Sequence, residues 1–188
     1  MEVRNGNGYQ YMNNMDFKTG DIAFVSNKAT NNPRTWVSDI IQFLQTGKLK
    51  NGNDIFSHTG QFIWIDGKLY VIDSDTDGVD VELFEKWVKR RTVIKVFRPN
   101  VLTDLPAIQA YTELALSKSG NGYGWKSIPA FVLFLTGKRY LGRLTTPTDN
   151  MICSVFTAYL YNLKDWQIQT PQSLWVNRFK NFPKGEDI

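Results

Sequence analysis

A single cysteine and a single histidine among 188 residues leave few options for covalent chemistry. One thiol cannot close an internal disulfide, so the fold does not depend on an oxidising compartment, and four-ligand zinc sites built on cysteines are excluded. Long apolar runs are missing too. The longest, Ile128 to Leu135, is interrupted by Pro129 and falls far short of the roughly 20 residues that span a bilayer. Charge of one sign is also scarce: 22 Lys and Arg stand against 18 Asp and Glu, and the resulting +4 is spread along the chain rather than gathered in a block. Nucleic-acid binding is therefore not expected. Residues Met1 to Gly20 are polar and lack the basic-then-apolar layout of a secretory signal. The expected location is cytoplasmic or within a larger particle such as a virion.

Hydrophobic residues make up 42% of the chain, enough to bury one substantial core. Residues 1–18 read as a polar N-terminal segment and 19–188 as one domain. Asp21 to Val25 reads as a short buried strand, and Trp36, Ile40, Ile41 and Leu44 recur at helical spacing over about 35–46. The strongest local signal is Asp66-Gly67, which separates two β-rich runs, His58 to Ile65 and Lys68 to Ser74, and predicts a two-residue hairpin turn. A short amphipathic helix is expected over Glu82 to Lys89 and a strand over Thr92 to Phe97. Asp104 and Pro106 mark the start of a further helix with Ile108, Tyr111, Leu114 and Ala115 on its inner stripe. Near the end, Ile152, Val155, Phe156, Tyr159 and Leu160 follow a helical period, which puts Cys153 in a helix's first turn.

That position singles out the thiol. The thiolate is the nucleophilic form of cysteine, and the unpaired N–H groups and dipole of a helix start place partial positive charge beside it. If Cys153 has a base it is His58. Counting outward from the predicted turn pairs Ile65 with Lys68 and Gly60 with Asp73, so Asp73 lies diagonal to His58 and Asp75 across from it, both on the histidine's face. Either carboxylate is placed to orient the imidazole, completing a Cys-His-acid triad. A lone cysteine more often packs than reacts, so the inference rests on these residues falling where the chemistry requires them.

Several segments, in their order, resemble the permuted branch of the NlpC-type papain-like cysteine hydrolases. This group includes YiiX-like and YebB-like bacterial proteins, poxvirus homologues and relatives of lecithin retinol acyltransferase. Thr19-Gly20-Asp21-Ile22 is similar to the family's Gly-Asp strand opening, and Phe56-Ser57-His58-Thr59-Gly60 to its Ser-His-Val-Gly element. Tyr70-Val71-Ile72-Asp73 resembles the strand carrying the family's Glu, Met151-Ile152-Cys153-Ser154 its Tyr-Cys-Ser element, and Thr170-Pro171-Gln172-Ser173-Leu174 a common closing motif. Gly78 to Trp87 looks like the loop and helix between them. The resemblance implies an α+β permuted papain-like fold, a small antiparallel sheet packed against helices including the nucleophile helix. It also implies Cys153 as nucleophile, His58 as base, Asp73 rather than Asp75 as third member, and Tyr123 as a residue near the substrate. No cofactor or metal is implied. The chain departs from the family at Val155, where Glu is usual, and at Gly124, where Asp is frequent.

The expected function is hydrolysis of an amide, in a peptide or cell-wall peptide, or of an ester, through an acyl-cysteine intermediate. Two alternatives keep the same fold. One is a catalytically inactive binding or assembly module, for example in a phage virion. The other is a lipid acyltransferase, with Pro129 to Leu135 and the nearby Lys138, Arg139 and Arg143 holding an acyl chain at a membrane surface. Asp73-Ser74-Asp75-Thr76-Asp77-Gly78 reproduces half of an EF-hand calcium loop, but the final ligand position falls on Phe84 where a bidentate Glu is needed. The partners expected are a peptide, small-molecule or lipid acyl substrate, with membership of a larger assembly as an option.

Overall fold

The computed structural model describes residues 16–25, 56–75, 77–90, 93–122 and 151–188. The helix expected over 35–46, Tyr123, the apolar run 128–135 and its basic neighbours lie outside them. The elements follow in the order β1 (Ile22–Val25), β2 (His58–Ile65), β3 (Lys68–Asp75), β4 (Gly78–Leu83), α1 (Phe84–Arg90), β5 (Val93–Arg98), α2 (Leu105–Ser117), α3 (Cys153–Leu160), a 3-10 turn (Trp166–Ile168), α4 (Pro171–Val176), α5 (Arg178–Asn181) and β6 (Glu186–Asp187). Among the described residues the six strands form one antiparallel sheet in the order β4-β3-β2-β1-β5-β6. The α+β expectation holds.

The β2–β3 hairpin has the register read from the sequence, Ile65 opposite Lys68 and Gly60 opposite Asp73. Asp66 and Gly67 both take positive φ, 49° and 73°, the backbone that a two-residue turn matching the strand twist demands. The next segment differs from the expectation. Gly78 to Leu83 was expected to begin as loop and to enter a helix at Glu82; instead it forms β4, paired with β3 from Asp75–Gly78 to Tyr70–Leu83, and the helix starts at Phe84. The alternating Val79 and Val81 carry the period-2 signal of that strand, with Val79 buried. The calcium-loop-like residues therefore belong to a β-hairpin, with Asp73 to Asp75 in strand and Gly78 opening the next one.

Helix starts follow their caps. Asp104 Oδ1 accepts from the Ala107 N–H at 2.9 Å with Pro106 in the first turn of α2. Thr170 and Ser173 bond reciprocally at the start of α4, where Pro171 opens the helix. The closing motif of the sequence is thus a capping box.

Hydrophobic packing covers both faces of the sheet. On one, Ile63, Ile72 and Val79 meet Tyr111 and Ala115 of α2 and Val155, Phe156 and Leu160 of α3, while Ile22 and Phe24 continue that face against Ala158, Leu174 and Trp175. On the other, Phe17, Ala23, Val25, Phe62, Val71 and Val96 pack with Trp87 of α1.

Asp21, at the head of β1, is buried and held by Arg98 of β5 through Nε to Oδ1 at 2.9 Å and Nη2 to Oδ2 at 2.8 Å. Its Oδ2 also accepts the Lys18 N–H at 2.8 Å. Burial raises the Asp21 carboxyl above its ordinary range, and the hydrogen bonds and charge of Arg98 pull it back only in part. A raised carboxyl contributes stability that is complete below the ordinary carboxylate range and lost as pH rises through the raised value, so at neutral pH the ionised Asp21 depends on its partner. Arg98→Met should destabilise the protein by about 3 kcal/mol, and Asp21→Asn/Arg98→Met should recover most of that loss in urea denaturation. A double variant no more stable than the single one would show that the pair holds the strands by more than charge neutralisation.

Candidate functional site

His58 is the first residue of β2 and Asp73 lies near the end of β3, so both sit at the open end of the hairpin, away from its turn. His58 Nε2 meets Asp73 Oδ2 at 2.6 Å, with each residue 5% exposed. The same Oδ2 accepts the indole N–H of Trp87 at 2.7 Å. A carboxylate at this distance makes Nε2 the protonated ring nitrogen of the neutral imidazole, which leaves the lone pair on Nδ1. Trp87 fixes the carboxylate from the other side.

Gly60 is the spacer that lets these groups meet. A Cβ at this position would stand 2.7 Å from Val71 Cγ1 and 3.1 Å from Trp87 Cζ2, so a side chain here would force Val71 to move and crowd the indole that bonds Asp73. Asp73, one of the two carboxylates the hairpin allowed, bonds His58. Asp75 lies at the end of β3 opposite Gly78.

Cys153 is the first residue of α3, as expected, with Ile152 as an extended N-cap. It is 2% exposed, and Met151, Ile152, Ser154 and Val155 around it are buried as well. Hydrogen bonds join its turn to the hairpin, two of them at one end. The Ser74 hydroxyl donates to the Met151 carbonyl at 2.5 Å, and Thr59 Oγ1 lies 2.8 Å from Thr157 Oγ1. Both fall at the hairpin's open end, the end that carries His58. Further support comes from α4, where Gln172 Oε1 accepts the Phe56 N–H at 3.2 Å two residues before His58, and Ser154 Oγ donates to the Gln169 carbonyl at 2.7 Å.

Strand alternation adds a feature the sequence did not announce. Thr59, Gln61 and Ile63 face α3, whereas Gly60 and Phe62 face α1, and His58, paired with Val25, belongs with the second set. The structure therefore brings His58 and Asp73 together directly, and brings Cys153 to the same end of the hairpin from its opposite face. Tyr123 lies outside the described residues.

Trp87 and Thr157 had not been singled out. Each carried a signal: a buried indole N–H needs an acceptor, and a threonine four residues after Cys153 in a helix has a carbonyl within reach of its hydroxyl. Neither signal names the partner across the fold.

No helix among the described residues is long and apolar enough to cross a membrane. No protein-family model matches the chain, and no curated protein matches it. Among solved structures, the metalloprotein YiiX from Escherichia coli O157:H7 matches with a TM-score of 0.51 at 18% sequence identity, over 91% of this chain and 87% of that one. At that identity the likeness establishes a YiiX-like α+β fold for this chain.

Proposed function

We propose that the protein is a cysteine-dependent hydrolase of an amide or ester bond, with Cys153 as nucleophile, His58 as general base and Asp73 as the group that orients the base. The observation that carries this reading is the buried His58–Asp73–Trp87 chain, which fixes one tautomer of the only imidazole and directs its basic Nδ1 away from the carboxylate. In this reading the imidazole and the thiol meet at the hairpin's open end. His58 Nδ1 takes the Cys153 proton, and the sulfur attacks the substrate carbonyl carbon to form a tetrahedral oxyanion. Collapse of that species expels the amine or alcohol, which leaves with the proton from His58, and a thioester remains on Cys153. Water then gives its proton to His58 as its oxygen attacks the thioester, and the acid and the thiol are regenerated. The Cys153 backbone N–H, at a helix start, is one donor for the oxyanion.

A substrate panel of peptide amides, cell-wall peptides and lipid esters, followed by intact-mass analysis, tests the reading. The expected product is an acyl adduct on the wild-type chain, missing in Cys153→Ala and accumulating slowly or not at all in His58→Ala. No adduct with any substrate class would count against the hydrolase.

One observation favours a second reading, a non-catalytic binding or assembly module of the same fold: Cys153 is 2% exposed. A thiol so enclosed is what a scaffold would keep.

YiiX is described as a metalloprotein. In this chain no three His, Cys, Asp or Glu side chains among the described residues converge as a cation site, and His58 Nε2 is engaged by Asp73. These residues do not assemble a metal centre.

A further inference from the structure

Thr157 is fully buried on α3, one turn after Cys153, and its hydroxyl oxygen has three neighbours. It donates to the Cys153 carbonyl at 3.0 Å. A hydroxyl has one proton, and the carbonyl can only accept, so that proton is spent there. The other two contacts must then run toward Thr157. Thr59 Oγ1, at 2.8 Å, is a donor to it, and so is the Gln61 side-chain amide. One donated and two accepted bonds use the full capacity of the hydroxyl. The two donors come from β2, directly after His58, and the acceptor is the backbone of the proposed nucleophile.

We propose that Thr157, supported by Thr59 and Gln61, is a positioning residue that fixes the Cys153 turn of α3 against the strand carrying His58. This rests on the hydrolase reading and adds to it the element that sets the distance between thiol and imidazole. Apolar packing between α3 and the sheet is non-directional and tolerates small shifts, whereas a three-bond hydroxyl with assigned protons defines one placement. The buried Gln61 Oε1 has no hydrogen-bond partner among the described residues. An unsatisfied acceptor is costly, and the bond its amide donates to Thr157 offsets part of that cost.

The test is a double-mutant cycle on the alkylation rate of Cys153, the chain's only thiol, measured against pH in the folded protein. Thr157→Val keeps shape and removes the bonds; Thr157→Ser keeps the bonds; Thr59→Val removes one donor and serves if Thr157→Val does not fold. Thr157→Val should lower the rate about tenfold, Thr59→Val less, and Thr157→Ser should restore it. In a His58→Ala background Thr157→Val should have no further effect, because what it disturbs is the approach of the two groups. An equal loss with and without His58, or an unchanged rate in Thr157→Val, would overturn the positioning role while leaving the hydrolase intact. If His58→Ala itself leaves the rate unchanged, the hydrolase reading fails first and the positioning role falls with it.

Discussion

Cys153 of the folded protein is expected to react with iodoacetamide, and His58→Ala is expected to slow that reaction by about a hundredfold. The chain has one cysteine, so the label has one destination. The argument is local and electrostatic. The thiol begins a helix whose first N–H groups carry partial positive charge, and in the hydrolase reading His58 takes its proton. Burial argues the opposite outcome, since a thiol 2% exposed and lined by Met151, Ile152 and Val155 is shielded from reagent unless the site opens. The two readings of the fold thus diverge in a single measurement that needs no substrate. Reaction only after unfolding, with no response to His58, would remove the hydrolase and favour the binding module.

Asp73→Asn should cost about a hundredfold or more in the same rate and in turnover, while Asp75→Asn should change either by less than about threefold. The asymmetry follows from Asp73 Oδ2, which holds both His58 Nε2 and Trp87 Nε1. An asparagine with its oxygen at the Oδ2 position keeps both bonds but lacks the negative charge that stabilises the imidazolium formed when His58 takes a proton. With its N–H₂ there, the indole N–H is stranded in a buried position, and the imidazole must place its proton on Nδ1 and loses its basic site. Urea denaturation separates the two costs, because loss of stability without loss of His58-dependent reactivity would assign Asp73 a structural role alone. Equal effects at Asp73 and Asp75 would mean that the carboxylates share the task.

Much of the site was legible because its signals are short-range. Asp66-Gly67 with two alternating runs set the register, and the register put both Asp73 and Asp75 on the face of His58. Asp104 and Pro106 announced α2, and the helical period after Ile152 announced the position of Cys153. These are consequences of backbone sterics and of a side-chain period of 2 or 3.6, which a linear chain displays openly.

Other features depended on groups far apart in the chain. The meeting of Asp73 with both His58 and an indole from α1, beside a Gly60 whose added Cβ would crowd Val71 and Trp87, has no local signal. The pairing of Asp21 with Arg98, 77 positions apart, and the meeting of Thr59 and Gln61 with Thr157 have no local signature, because any buried polar group needs a partner but nothing in its neighbourhood specifies one. β4 was missed although Val79 and Val81 alternate, since a short alternating run leading into a helical stretch fits either period until β3 offers its free edge. The sequence by itself determined an α+β chain with one hairpin, one base and one thiol at a helix start. Only the tertiary structure decided that the Cys153 helix covers the face of β2 opposite to the one His58 shares with Trp87, because the face a helix covers follows from the burial of the whole sheet and not from the residues of either element.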